Sequence, residues 1–152
     1  MSMNSTPFSP DIALSSASID EVNLWVNRQG PSQDVVTNVN YTISEPSFTK
    51  SDDGTVATVS ASEEVSVEDA PSGGTPRARV RVSITGTFSV ADEVASNDGA
   101  VRTVKVASAN TLFSQIQSYI AVICGQTLAR DYLRPPQVDG ERLVSAIEQS
   151  QQ

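Results

Sequence analysis

The chain has 152 residues, 38% of them hydrophobic, which allows one domain with a thin core of the kind that subunit contacts often complete. Eighteen acidic against ten basic residues give a net charge of -8, which opposes a phosphate backbone and argues against nucleic acid as a partner. The sequence has no histidine, which removes Ser-His-Asp and Cys-His catalysis and the commonest zinc ligand. Its two lysines, Lys50 and Lys105, stand in no recognisable motif. An enzyme is therefore the weakest class, and no cofactor or metal is implied.

The first segment, MSMNSTPFSPDIALSSAS, has neither a basic n-region nor a continuous apolar run, so it reads as a Ser-rich disordered leader over residues 1–17 and not as a secretory signal. Residues 18–152 then form a single domain. Val22, Leu24 and Val26 alternate with Glu21, Asn23 and Trp25, which predicts a first strand with Trp25 on its polar face. Val39, Tyr41 and Ile43 share one face of a second strand, which Pro46 interrupts and Phe48 continues beyond the bend. Ser51-Asp52-Asp53-Gly54 supplies a tight turn, because glycine takes positive φ without steric cost. The two aspartates lack the further ligand spacing of a calcium loop.

A third strand runs from Thr55 to about Glu68, and a fourth, RARVRVSITGTFSV, from Arg77 to Val90. A turn centred between Ser72 and Gly73 sets Val67 against Ala78, Val65 against Val80 and Ala61 against Ile84. On the polar face Glu68 then meets Arg77, and Glu64 meets Arg81. Glu63 falls opposite Val82 on the apolar side, so either a β-bulge lies near the Glu63-Glu64 pair, which is the favoured reading, or this carboxylate reaches a rim.

Beyond the polar segment DEVASNDG, Leu112, Phe113, Ile116, Ile120 and Ile123 recur at helical spacing from about Thr111 to Gln126, with Asn110 as N-cap. The span from Val106 to Ala129 carries no charge, but Asn110, Ser114, Gln115, Gln117, Ser118 and Gln126 interrupt it, so membrane insertion is not expected. A solvated helix face normally carries Lys and Glu; here the second face is neutral, which predicts an oligomer interface at Gln115, Ser118, Tyr119 and Val122. The single cysteine, Cys124, excludes an intrachain disulfide and reads as a buried small hydrophobe, in keeping with a reducing cytoplasm. Pro135-Pro136 bars helix through the next stretch, and a short helix from near Asp139 puts Leu143, Val144 and Ile147 on one face. The fold class is thus α+β: a four-stranded antiparallel sheet followed by one long helix and a short C-terminal helix.

This order of elements resembles the SecB family of export chaperones. Asn110, Leu112 and Phe113 look like part of that family's C-P-N-x-L-F-P-Y-A-R-E run, and Leu133, Pro135 or Pro136, Val138 and Asp139 look like its L-x-P-V-N-F-D. Ser114-Gln115-Ile116-Gln117 stands where the family has Pro-Tyr-Ala-Arg. The resemblance implies an ATP-independent holdase, commonly a dimer of dimers, whose apolar grooves take up unfolded polypeptide and whose acidic sheet surface docks an export ATPase. Here Arg77, Arg79 and Arg81 lie on that polar face instead. Divergent members look like dedicated chaperones of toxin-antitoxin modules that bind an exposed tail of the antitoxin.

Apolar side chains on the predicted strands and last helix make Tyr41, Ile43, Phe48, Phe88, Val138 and Leu143 the candidate client groove, with Trp25 an outlying member. The expected partners are an unfolded client protein, an antitoxin among them, the export ATPase, and further copies of the chain. A structural or assembly subunit of a virion or secretion apparatus is the alternative that the long amphipathic strands also fit.

Overall fold

Strict alternation of apolar and polar residues over two neighbouring segments forces them into strands that bury one face, and these two strands are the centre of the protein. The computed structural model describes residues 11–27, 34–70, 74–125 and 139–150. The side chain of Cys124, the turn at Ser72-Gly73, the segment holding Leu133, Pro135, Pro136 and Val138, and residues 1–10 lie outside what is described.

The elements in order are β1 (Ile12–Val26), β2 (Val35–Ile43), β3 (Ser47–Ser51), β4 (Gly54–Asp69), β5 (Pro76–Val90), α1 (Asp92–Ala95), α2 (Ala100–Gly125) and α3 (Gly140–Ser150). The sheet is antiparallel and ordered β1-β5-β4-β2, with β3 also paired to β4. It therefore has five strands, not four, because β2 and β3 divide one edge of β4 on either side of the bend at Pro46. Phe48 does continue the strand beyond that bend, opposite Ala57. The turn into β4 sets Ser51 opposite Gly54, whose φ of 123° is a conformation that side-chain-bearing residues rarely adopt.

The β4–β5 register matches the alternation, with Val67 opposite Ala78, Val65 opposite Val80 and Ala61 opposite Ile84. Two expectations here are corrected. No bulge occurs at Glu63-Glu64; the ladder is continuous there, and Glu63 faces the core opposite Val82. The irregularity lies instead between Val67 and Glu68, so Glu68 stands opposite Pro76, and Arg77 is paired with Asp69 through bonds of 2.7 and 2.8 Å. Arg81 does reach Glu64 at 3.6 Å, and it also meets Glu21 at 2.7 Å.

The largest departure from the sequence reading is β1, which begins at Ile12 inside the expected leader. Its register against β5 shifts between Leu14 and Ser16 and again between Ile19 and Glu21. Each shift inserts one residue, which keeps Leu14, Ala17, Ile19, Val22 and Leu24 on the face shared with Phe88, Gly86, Ile84, Val82 and Val80.

Both longer helices pack on one side. The core lies between α2 and the apolar faces of β4 and β5, with Val59, Val65, Val80, Val82, Ile84, Phe88, Leu112, Phe113, Ile116 and Ile120 at most 1% exposed. The opposite sheet face is polar, and there Thr42 and Ser62 share a short hydroxyl hydrogen bond and Ser60 meets Thr85 at 2.8 Å. The helix α2 starts ten residues before Asn110, so Asn110 is interior to it and is not its N-cap. At the end of the chain, Asp139 caps α3 by accepting from the backbone N–H groups of Glu141 and Arg142 at 3.0 and 3.2 Å.

Candidate functional site

A chain without a catalytic motif is read from its surfaces, and the first is the stripe of α2 that points away from the sheet. Positions 115, 118, 119 and 122 share one helix face by their spacing of three and four residues. Ser118, Tyr119 and Val122 are exposed, Val122 at 61%, and Gln115 is half-buried. In the N-terminal half of α2, α3 packs against the helix, with Arg102 reaching Glu148 at 3.4 Å and Ser145 at 2.9 Å, while Val101 stays 46% exposed. On the same layer as the helices, Ile19 and Val22 of the edge strand β1 remain 47% and 49% exposed. They lie on the apolar sheet face, whereas Ile12, Leu14, Leu24 and Val26 are the β1 side chains that pack against the core.

The candidate client residues divide between two places. Tyr41, Ile43 and Phe48 line the β2–β3 edge on the helix side of the sheet, since each is paired with a residue of β4 that faces the core. Tyr41 and Ile43 are half-buried there, and Phe48 is 37% exposed. The Tyr41 ring stands edge-on to Phe113 with centroids 5.4 Å apart. Leu143 is half-buried on α3 against the main core. Trp25 lies apart, 44% exposed on the polar sheet face opposite Arg79, in a groove with Glu64, Glu68 and Pro76. Val138 falls outside the described residues. Phe88 is a correction: at 1% exposure it is a core residue, packed where Gly86 lets Leu112 of α2 approach the sheet. A strand residue directly beneath a helix has no surface to offer a client.

Two polar contacts escaped the sequence reading, and a third polar feature was flagged by it but assigned to a bulge. The Lys105 side chain is 6% exposed, and its ammonium reaches Glu45 at 2.5 Å, tying α2 to the β2–β3 bend. Asn110 Oδ1 accepts the backbone N–H of Gly140 at 2.7 Å. The third is Glu63, with no exposed surface and no hydrogen bond of ordinary geometry to either carboxylate oxygen. Burial raises its carboxyl from the ordinary range to about 7, a rise that the facing Gln117 amide of α2 partly restrains. Tyr41, its cross-strand neighbour, is shifted upward by burial first and by the Glu63 charge second. The signal for Glu63 was present in the sequence as the one acid on an apolar face. The signal for the other two lay in no local pattern.

No family model matches the chain, and no curated protein matches it in sequence. No helix among the described residues is long and apolar enough to cross a membrane. Among solved structures the chain is similar to the Mycobacterium tuberculosis Rv1957 SecB-like chaperone in complex with a ChAD peptide from the Rv1956 HigA1 antitoxin. The TM-score is 0.57 at 14% identity, over 84% of this chain and 88% of that one. At that identity the likeness is one of fold: an antiparallel sheet of five strands with its helices on one face, in the α+β arrangement of a SecB-like chaperone.

Proposed function

We propose that this chain is an ATP-independent holdase that binds extended apolar segments of non-native protein and assembles with its own copies into a small closed oligomer, a dimer of dimers. The observation that carries the reading is apolar surface left uncovered on a two-layer fold: Ile19 and Val22 on β1 with Tyr119 and Val122 on α2. A small acidic protein rarely leaves such groups open without a partner, and a neutral helix stripe is what an interface needs. Gln115 and Ser118 complete that stripe.

Client binding is assigned to Tyr41, Ile43 and Phe48 along the β2–β3 edge, with Leu143 and Val138 toward the C-terminus and Trp25 as a separate aromatic contact. An extended segment laid on a sheet edge gains backbone hydrogen bonds, and apolar side chains beside the edge supply its affinity. The solved structure of similar fold holds an antitoxin peptide, which supports an antitoxin tail as client ahead of general export. On the export reading, the ATPase would meet the polar sheet face, where Arg77, Arg79 and Arg81 stand among Glu21, Glu64 and Glu68. The work requires no bond chemistry and no cofactor, and the cytoplasm is the compartment where such clients are found.

The test is suppression of aggregation of a chemically unfolded protein, without nucleotide, together with sedimentation of the free chain. Suppression that saturates near one client per small oligomer is expected. Rings or filaments that leave clients unprotected would assign the chain to a structural or assembly role instead.

A further inference from the structure

Glu63 sits where β2, β4, β5 and α2 meet. Tyr41 is its partner on β2 and Val82 its partner on β5, while Gln117 faces it from α2. Phe113, one helical turn before Gln117, closes the same space through its contact with Tyr41. Val22 of β1 stands beyond Val82. Tyr41 is thus the titratable group that faces the carboxyl, and no cation does so among the described residues. Arg81 and Glu64 point to the opposite sheet face and are paired there with each other and with Glu21. Along α2, Lys105 is paired with Glu45 and Arg102 with Glu148, and both lie at least twelve residues, or about 18 Å of helix, from Gln117.

A carboxylate with no exposed surface and no donor at ordinary geometry is tolerable when protonated and costly when ionised. The charge can regain water by one short path, because the strand beside Glu63 is the edge strand β2 and the helix above it offers only an amide. We propose that Glu63 is a proton-operated latch on the seam between α2 and the β2–β4 edge: protonated it keeps the seam shut, and ionised it loosens the middle turns of α2 and uncovers Tyr41 and Phe113. The aromatic pair would then join Ile43 and Phe48 as apolar surface at the edge. That consequence for client uptake rests on the holdase reading, whereas the opening itself is read without any client.

Native-state hydrogen exchange of the free wild-type chain at about pH 6 and about pH 8, corrected for intrinsic exchange, tests the latch. Amides of the central turns of α2 and of β2 should lose protection by about tenfold between the two conditions, the factor expected for a carboxyl titrating near neutrality in the closed state and in the ordinary range once open. Amides of β1 and β5 should hold theirs. Glu63→Gln should abolish the dependence. Equal loss across β1, β5 and α2 would overturn the latch, since it would mean general destabilisation, as would unchanged protection at α2. The wild-type comparison decides the matter even where Glu63→Gln folds poorly. If the seam opens but no client binds in either condition, the holdase reading fails and the latch stands.

Discussion

Asn110 Oδ1 and the backbone N–H of Gly140 lie 2.7 Å apart, so a side chain from the middle of α2 satisfies a donor at the first turn of α3. The first turn of any helix leaves donors without intrahelical partners, and Asn110 takes one that Asp139 does not. A Cβ on Gly140 would meet Asn110 Oδ1 at 2.6 Å and the Val106 carbonyl oxygen at 2.8 Å, which fixes how closely the two helices pass. Asn110→Ala should destabilise the protein by about 1–2 kcal/mol and free the amides of α3 to exchange first. Urea unfolding with residue-resolved exchange checks this; a variant that is destabilised without loosened α3 amides would show that the bond is not the link between the helices.

Glu63 makes stability depend on pH with a definite sign. Its carboxyl is raised to about 7 in the folded chain and titrates in the ordinary carboxylate range when unfolded. Between those values the folded state keeps a proton that the unfolded state has lost, so stability is full below the ordinary value, falls as pH rises toward neutrality, and stays low above it. The total loss is about 3 kcal/mol. Equilibrium unfolding of wild type and Glu63→Gln across that window should show this difference in slope, and parallel curves would remove the assignment.

Gly86 is the point of nearest approach between sheet and helix. A Cβ there would lie 2.8 Å from Leu112 Cδ2, 3.0 Å from Phe88 Cε2 and 3.1 Å from Leu14 Cδ1. Gly86→Ala should cost about 1–3 kcal/mol through overpacking. Adding Leu112→Ala removes the clashing methyl, so the double mutant should be more stable than the sum of the two single losses implies. Strict additivity in thermal or urea unfolding would mean that the two positions do not share this contact.

Phe88 and Trp25 should separate stability from binding. Truncating the buried Phe88 to Ala is expected to cost about 3–5 kcal/mol. Trp25→Ser changes an exposed side chain, and stability should move by no more than about 0.5 kcal/mol. Tyr41, Ile43 and Phe48 are the better positions at which to look for lost client affinity, read by fluorescence anisotropy of an extended peptide. Binding that survives polar substitution at all three would move the client site elsewhere.

Val122→Asp places a charge in the open stripe of α2. The monomer should keep its circular dichroism and its stability to within about 0.5 kcal/mol. Sedimentation should show the oligomer dissociating, and an unaltered sedimentation coefficient would mean that this stripe is not an interface.

The hairpin of β4 and β5 was legible in the sequence because one face is buried along its whole length, and a slip of one residue would turn every valine to solvent. The C-terminal half of α2 and the apolar face of α3 were legible for the same reason at helical period. Of β1 only the end at Val22, Leu24 and Val26 was legible; its N-terminal part was not, since the two inserted residues space Leu14 from Ala17 and Ile19 from Val22 by three, which breaks the alternation that marks a strand. Nor was the start of α2, where Val101, Val104 and Val106 are β-branched and read equally as strand.

The sequence by itself determined the antiparallel α+β class, the β4–β5 register as far as Val67 and the neutral character of the long helix, because periodic burial writes those features into neighbouring residues. Tertiary structure decided where polar groups went. Lys105 finds Glu45, Asn110 finds Gly140, and Glu63 is left among Tyr41, Val82 and Gln117, through contacts between segments that are distant in the chain. Local propensity carries no information about such partners, since the free energy of a buried charge or donor depends on what the assembled fold brings beside it.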